Sequence, residues 1–206
     1  MEQVLAHPHL PHRDDEASKM GMWLFLFTEL LLFGGLFLVF SIYRYMNHDA
    51  FSKGGHELDI FIGTVNTIVL ITSSLTIAIS ITAIQQNRKK LSIFLMILTI
   101  VLALVFMVNK YFEWSAKFEH GLAPGTVGFS ELPKGEALFF LLYFFMTGLH
   151  ALHVIAGSVF IAVIIFKVKN GTISHTNFAQ HENAGLYWHL VDIIWIFLFP
   201  LFYLVH

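Results

Sequence analysis

Thr147-Gly-Leu-His-Ala-Leu-His-Val-Ile-Ala-Gly157 sits inside an apolar run covering 137–166. A run of that length exceeds the roughly 20 residues a helix needs to cross a bilayer, and two histidines within it need a reason. Three apart on a helix, His150 and His153 share nearly one face, and Gly148, Ala151 and Gly157 let a neighbouring backbone come close. That face either binds a metal or haem or holds helices together.

The composition of the whole chain places it in a membrane. Of 206 residues, 56% are hydrophobic and only 13% charged, with 22 Phe, far more apolar than a soluble domain of this size. There is no cysteine, which excludes thiolate-held iron–sulfur clusters, thioether-attached haem, a cysteine-bridged copper centre, disulfides and cysteine nucleophiles. A formal net charge of -2 and the lack of a basic stripe give no sign of a nucleic-acid partner. Residues 1–19 read as a polar, uncleaved tail, because the hydrophobic segment that follows is too long for a signal peptide. Its His7, His9 and His12 are interleaved with two prolines, which suits a disordered tail better than a metal site.

Five segments are long enough to span, at 20–46, 59–84, 91–112, 136–166 and 184–205, and together with the tail they make one domain. Hydrocarbon tolerates only helices or closed barrels, and no ten-residue alternation suggests a barrel, so the expected fold is an all-α integral membrane bundle of five transmembrane helices. The short turn Gln85-Gln-Asn-Arg-Lys-Lys90 makes the second and third helices antiparallel neighbours. One face carries seven Lys and Arg (Arg13, Lys19, Arg88, Lys89, Lys90, Lys167, Lys169) and the other five (Arg44, Lys53, Lys110, Lys117, Lys134). That bias predicts a cytoplasmic N-terminus and an outside C-terminus. The longest connection, 113–135, holds Pro124-Gly125 and Pro133 as turn signals.

An ionisable side chain within a span costs roughly 2.5–3.5 kcal/mol on insertion scales, so each one calls for a partner or a task. Glu29 lies well inside the first helix, either hydrogen-bonded to a neighbouring helix or serving a lipid or proton-linked site. Gly34 and Gly35, further along, suggest a close backbone contact. In the second helix Asn66, Thr67, Thr72, Ser73, Ser74 and Thr76 read as polar glue. Lys110 and Glu113, three apart, read as a membrane-edge ion pair in which the lysine snorkels. In the last helix His189 and Asp192 are also three apart, so the carboxylate is placed to hold the imidazole or a group on another subunit. Pro200 removes a backbone donor and bends the final turns.

The redox readings fit poorly. Two haems on a membrane cytochrome need two histidines on each of two helices, whereas here His150, His153 and His189 are the mid-span set, and the first two lie at almost one depth. A di-iron carboxylate site needs Glu-x-x-His motifs that are missing. A channel needs a polar ring down several helices. An independent haem-binding or proton-conducting protein stays open as a reading of another class.

Taken together, Phe27-Thr-Glu29 with Phe33, Asn66-Thr67 with Ser73-Ser74, Lys110 with Glu113-Trp114, His150-Ala-Leu-His-Val-Ile-Ala-Gly157, and Glu182 followed by Tyr187-Trp-His-Leu-Val-Asp-Ile-Ile-Trp195 resemble subunit III of the haem-copper respiratory oxidases. The form resembled is the short bacterial one with five helices rather than seven. Thr28 stands where that family often has Ser, Ala151 where Gly is common, and Trp114 where Tyr is common. The resemblance implies a non-catalytic subunit of a proton-pumping terminal oxidase in the bacterial cytoplasmic (inner) membrane, with no redox or catalytic centre in this chain. Haem and copper would lie in partner subunits. This chain would pack on the catalytic subunit I and other oxidase subunits, hold phospholipid, and protect the active site and the proton-uptake entrance. It also implies that Glu29 is a buried carboxyl and that His150, His153, Glu182, His189 and Asp192 form the polar interior of the last two helices. The related five-helix accessory protein of nitric oxide reductase is the nearest alternative.

Overall fold

The computed structural model describes residues 15–204. The histidine cluster at 7–12 and the expected last helical residue, Val205, lie outside the described residues. Among those described, the elements are α1 (Asp15–Met46), α2 (His48–His56), α3 (Ile60–Gln85), α4 (Lys89–Glu119), α5 (Val127–Glu131), α6 (Lys134–Lys169) and α7 (Ala179–Phe199), followed by a π-helical turn, Pro200–Leu204. Five helical stretches are long and apolar enough to cross a membrane: Glu16–Met46, Ile60–Gln85, Lys89–Glu119, Lys134–Lys169 and Ala179–Leu204.

Local chemistry sets the ends. Asp59 caps α3 by accepting hydrogen bonds from the amides of Phe61 and Ile62 at 2.8 and 3.2 Å. Three helices close in the same way, with a residue in the left-handed region just past the cap. Asn87 (φ 59°) ends α3, Gly121 (φ 72°) ends α4 and Gly171 (φ 78°) ends α6. Each is followed by an amide bonded back five residues: Arg88 to Ala83, Leu122 to Lys117 and Thr172 to Lys167.

These signals move several expected boundaries. The first helix starts at Asp15, so residues 15–19 of the expected tail are already helical. The third spanning helix runs to Glu119 because Gly121, not the aromatic cluster near 112, is its stop. The connection expected at 113–135 therefore shrinks and holds the short helix α5. The last helix begins at Ala179, five residues before the expected 184, and the unexpected α2 links α1 to α3.

The bundle is organised around α7, which packs on α3, α6 and α1, while α3 and α4 form the antiparallel hairpin and α4 also packs on α6. Of the apolar stretch of α7, 56% is buried, against 17% of that of α1, so α7 is the core helix and α1 a peripheral one. Gly157 of α6 lets α7 approach: a Cβ there would lie 2.9–3.0 Å from ring atoms of Trp188 and Tyr187. Among the described residues the expected close contact at Gly34 and Gly35 is not made, since a Cβ added to either meets nothing within 4 Å. Both are on exposed faces of α1, because that helix buries only the stripe carrying Leu26, Phe33 and Phe40. Near one end of the bundle, Phe40, Phe51, Phe139 and Phe202 meet edge to face at centroid distances of 4.8–5.8 Å, holding α1, α2, α6 and the final turn together.

Gly157→Val is expected to destabilise the chain by about 1–3 kcal/mol through overpacking against two aromatic rings, whereas Gly35→Ala is expected to be near neutral. Thermal unfolding of the two variants in detergent, followed by circular dichroism, measures the contrast.

Candidate functional site: a paired polar interior

Polar side chains of the spans meet inside the bundle. Along the α3–α7 seam, Trp188 Nε1 donates to Ser73 Oγ (3.0 Å) and Trp195 Nε1 to Thr67 Oγ1 (3.0 Å). Ser74 Oγ lies 2.6 Å from His189 Nδ1, and Ser80 Oγ 2.9 Å from His181 Nε2. Across the α3–α4 hairpin, Asn109 Nδ2 donates to Asn66 Oδ1 (2.8 Å) and the hydroxyls of Thr76 and Thr99 are 2.7 Å apart. These pairs exist because α3 places Thr67, Ser73, Ser74 and Ser80 where longer side chains of α7 can reach them.

The expected histidine face divides between two neighbours. His153 Nε2 is 2.9 Å from Glu29 Oε2 of α1, and its Nδ1 is 2.8 Å from the Leu149 carbonyl of its own helix. His150 instead points into the core, fully buried, with Trp195 and Phe106 at centroid distances of 5.2 and 5.6 Å. Neither nitrogen of His150 has a hydrogen-bond partner. Among the described residues, no three His, Cys, Asp or Glu side chains are grouped so as to hold a metal ion.

Two expected pairings are corrected. His189 Nδ1 meets Ser74 Oγ of α3, and neither oxygen of Asp192 is hydrogen-bonded to the imidazole. Asp192, only 3% exposed, faces the Ser74 region with no well-formed hydrogen bond to either oxygen. Glu182, partly exposed, takes Lys19 of α1 at 2.8 Å.

The second correction concerns Lys110 and Glu113, which are 2% and 4% exposed and form no surface pair. α4 turns both inward, where Tyr143 of α6 and Tyr203 of the π-helical turn complete a closed set. Lys110 Nζ donates to Glu113 Oε2 (3.2 Å), Tyr143 Oη (2.9 Å) and Tyr203 Oη (3.0 Å), which uses all three ammonium protons. Tyr143 and Tyr203 each donate to Glu113 Oε1, at 2.6 and 2.5 Å. The ammonium also lies 4.9 Å from the Tyr143 ring centroid and 5.4 Å from that of Trp195. One turn further on, Lys117 Nζ donates to the Glu57 carbonyl, tying α4 to the end of α2.

Spacing along α4 reveals the Lys110–Glu113 pair but not its tyrosines. Tyr203 reaches the pair through the π-helical turn that Pro200 begins, and Gly63 of α3 leaves room for it, since a Cβ there would lie 2.9 Å from the Tyr203 ring. His181 was missed because the last helix starts earlier than its hydropathy suggests. The polar tips of Trp188 and Trp195 were readable only as apolar bulk until α3 was placed opposite them.

Breaking this set on one side strands a buried charge. Lys110→Met is expected to destabilise the chain by about 3–5 kcal/mol, and adding Glu113→Leu is expected to recover much of that loss. A double-mutant cycle on thermal unfolding checks it; additive losses would show that the two residues act independently.

Sequence comparison agrees with this architecture. The family described as "Cytochrome c oxidase subunit III" matches residues 9–206. A "Cytochrome c oxidase subunit 3" of Alkalihalophilus pseudofirmus is 31% identical over 201 residues, 97% of this chain and 92% of that protein. A "Probable quinol oxidase subunit 3" of Staphylococcus epidermidis is 29% identical over 195 residues, 93% and 90% of the two chains. A "Heme-copper oxidase subunit I+III" of Aeropyrum pernix is 29% identical over 203 residues, 96% of this chain but only 24% of that longer protein. With a match over nearly its whole length, an all-helical fold and five membrane-length helices, the chain belongs to the cytochrome c oxidase subunit III family.

Proposed function

We propose that this chain is the non-catalytic subunit III of a bacterial proton-pumping terminal oxidase, seated in the cytoplasmic membrane with its N-terminus inside. It packs against the catalytic subunit I, holds phospholipid at that junction, and shields the active site and the proton-uptake entrance. The observation that carries this reading is the family match over 9–206. The A. pernix relative, whose name joins subunits I and III, supports placing the chain beside a catalytic subunit.

The interior supports a scaffolding role. His189 Nδ1, His181 Nε2 and both nitrogens of His153 meet Ser74, Ser80, Glu29 and the Leu149 carbonyl, and the His150 ring is packed against aromatic rings. The exposed faces of the long helices are rich in Phe, Leu, Ile and Val, as Leu31, Leu38, Phe61, Phe94, Leu104 and Phe112 illustrate. Such a surface suits acyl chains and neighbouring helices, not a substrate. Glu29, joined to His153 at the edge of α6, is the residue placed for a lipid or proton-linked role.

Affinity purification through a tag on this chain, with mass spectrometry, is expected to recover an oxidase catalytic subunit; recovery of a nitric oxide reductase, or of no partner, would overturn the reading. Complex stripped of this chain is expected to begin oxygen uptake at a near-normal rate and to lose activity faster during turnover. Unchanged decay would remove the shielding role. Glu29→Gln is expected to leave assembly largely intact, since an amide still bonds to His153, and loss of the complex would show that the carboxyl itself is structural.

A further inference from the structure

We propose that Asp192, Ser74 and His189 form a proton-exchange site, in which the buried carboxyl of Asp192 exchanges its proton with a cavity beside the N-terminal turns of α1 and α7 by way of the Ser74 hydroxyl and the His189 imidazole. This goes beyond the subunit III reading, in which these three residues have no task other than holding helices together.

Depth sets the problem. Glu182, in the first turn of α7, pairs with Lys19 of α1 at 2.8 Å, and both are partly exposed. At 1.5 Å per residue His189 lies about 10 Å further along the helix and Asp192 about 15 Å, half the thickness of a hydrocarbon core. Asp192 is 3% exposed there, so it has no direct route to water. The buried lysines are committed elsewhere, Lys110 to Glu113 and two tyrosines and Lys117 to the Glu57 carbonyl. A carboxylate at that depth would have neither water nor a counter-ion, and the neutral acid is the form that hydrocarbon tolerates. A cavity of about 380 Å³ covers the first part of the distance, with Lys19 and Trp23 of α1 and Ile81 of α3 as walls and His189 as the deepest residue that α7 gives it. Lys19 and Glu182 are the other titratable groups that line it.

Ser74 covers the rest. The hydroxyls on both sides of it, Thr67, Thr72, Ser73, Thr76 and Ser80, donate to a carbonyl of α3 one turn back. Among the described residues Ser74 meets His189 Nδ1 at 2.6 Å instead, and the Asp192 carboxyl faces the same hydroxyl. With its proton on Nδ1, the imidazole donates to Ser74 Oγ and the hydroxyl proton is left for the carboxyl. A proton arriving from the cavity at Nε2 lets the Nδ1 proton pass to Ser74 and the hydroxyl's own proton pass to a carboxylate oxygen. The acid forms, the serine is restored, and the ring is left neutral with its proton on Nε2. The reverse sequence returns the proton to the cavity. The tryptophan contacts of the same seam cannot do this, because an indole only donates, whereas an imidazole takes a proton on one nitrogen as it releases one from the other.

Transfer of the full-length chain in detergent from water to heavy water, followed by infrared spectroscopy, tests this. The Asp192 acid is identified as the carboxylic C=O band that Asp192→Asn removes. The expected result is a band that shifts within minutes in the wild-type chain and at least tenfold more slowly in Ser74→Ala and in His189→Phe, with Ser74→Thr close to wild type. Amide exchange in the same spectra is expected to be alike in all of them, which separates a lost relay from a loosened fold. Carboxyl exchange as fast as wild type in a folded Ser74→Ala or His189→Phe chain would overturn the proposal, as would a wild-type band that does not shift, or a spectrum from which Asp192→Asn removes no carboxylic band. If circular dichroism shows Ser74→Ala to be unfolded, His189→Phe decides the comparison. None of these outcomes depends on recovery of the catalytic subunit, which tests the subunit III reading separately.

Discussion

A hydrogen-bonding side chain on a membrane-spanning helix has no water to turn to, and the fold depends on how α7 pairs its own. Its two tryptophans and two histidines would each be a liability if they faced lipid. Opposite them, α3 offers Ser73, Ser74, Ser80 and Thr67, small hydroxyl residues that accept from the indoles and meet the imidazoles without holding the helices apart. Each bond is worth only about 1 kcal/mol or less in a membrane, so the seam acts less through total energy than by fixing register. A slip of one residue would break all four contacts together. Gly157 and Gly185, where α7 meets α6 and α3, let the backbones come near enough for these short side chains to reach.

The Lys110–Glu113 pair, with Tyr143 and Tyr203, applies the same rule to full charges. Its geometry is closed: three ammonium protons meet three acceptors, and the carboxylate accepts a hydrogen bond from each phenol. Replacing the whole set by apolar residues need not cost stability, but the set specifies which turn of α4 meets α6 and where the π-helical turn from Pro200 packs. Together with the α3–α7 seam it leaves α1 as the least enclosed helix, tied by Glu29 to α6 and by Lys19 to α7. That asymmetry leaves only 17% of the apolar stretch of α1 buried within this chain.

Much of the fold was legible from hydropathy alone, since five runs of spanning length leave hydrocarbon few alternatives. The helix ends were less so: Gly121, Gly171 and Asn87 are ordinary residues in a sequence and become stop signals only by adopting positive φ. The early start of α7 hid because its first turn is polar, and α2 because its composition is that of a loop. Spacing on one helix identified Glu29, His153, Lys110 and Glu113 as residues needing partners, but partners from other helices depend on rotation about each axis. Lys110 and Glu113 were therefore placed at a surface, when Tyr143 and a π-helical turn carrying Tyr203 draw them inward. Asp192 was expected to hold either His189 or a group on another subunit, and nothing in the spacing shows that Ser74 meets the imidazole.

The role proposed for the buried histidines of this chain is packing and not haem ligation. The most direct measurement is the visible absorption spectrum of the isolated chain, purified in detergent from cells supplied with haem. No Soret band is expected, with His150 packed against Trp195 and Phe106 and His189 held by Ser74. A Soret band that disappears when His150 or His189 is replaced by alanine would contradict it.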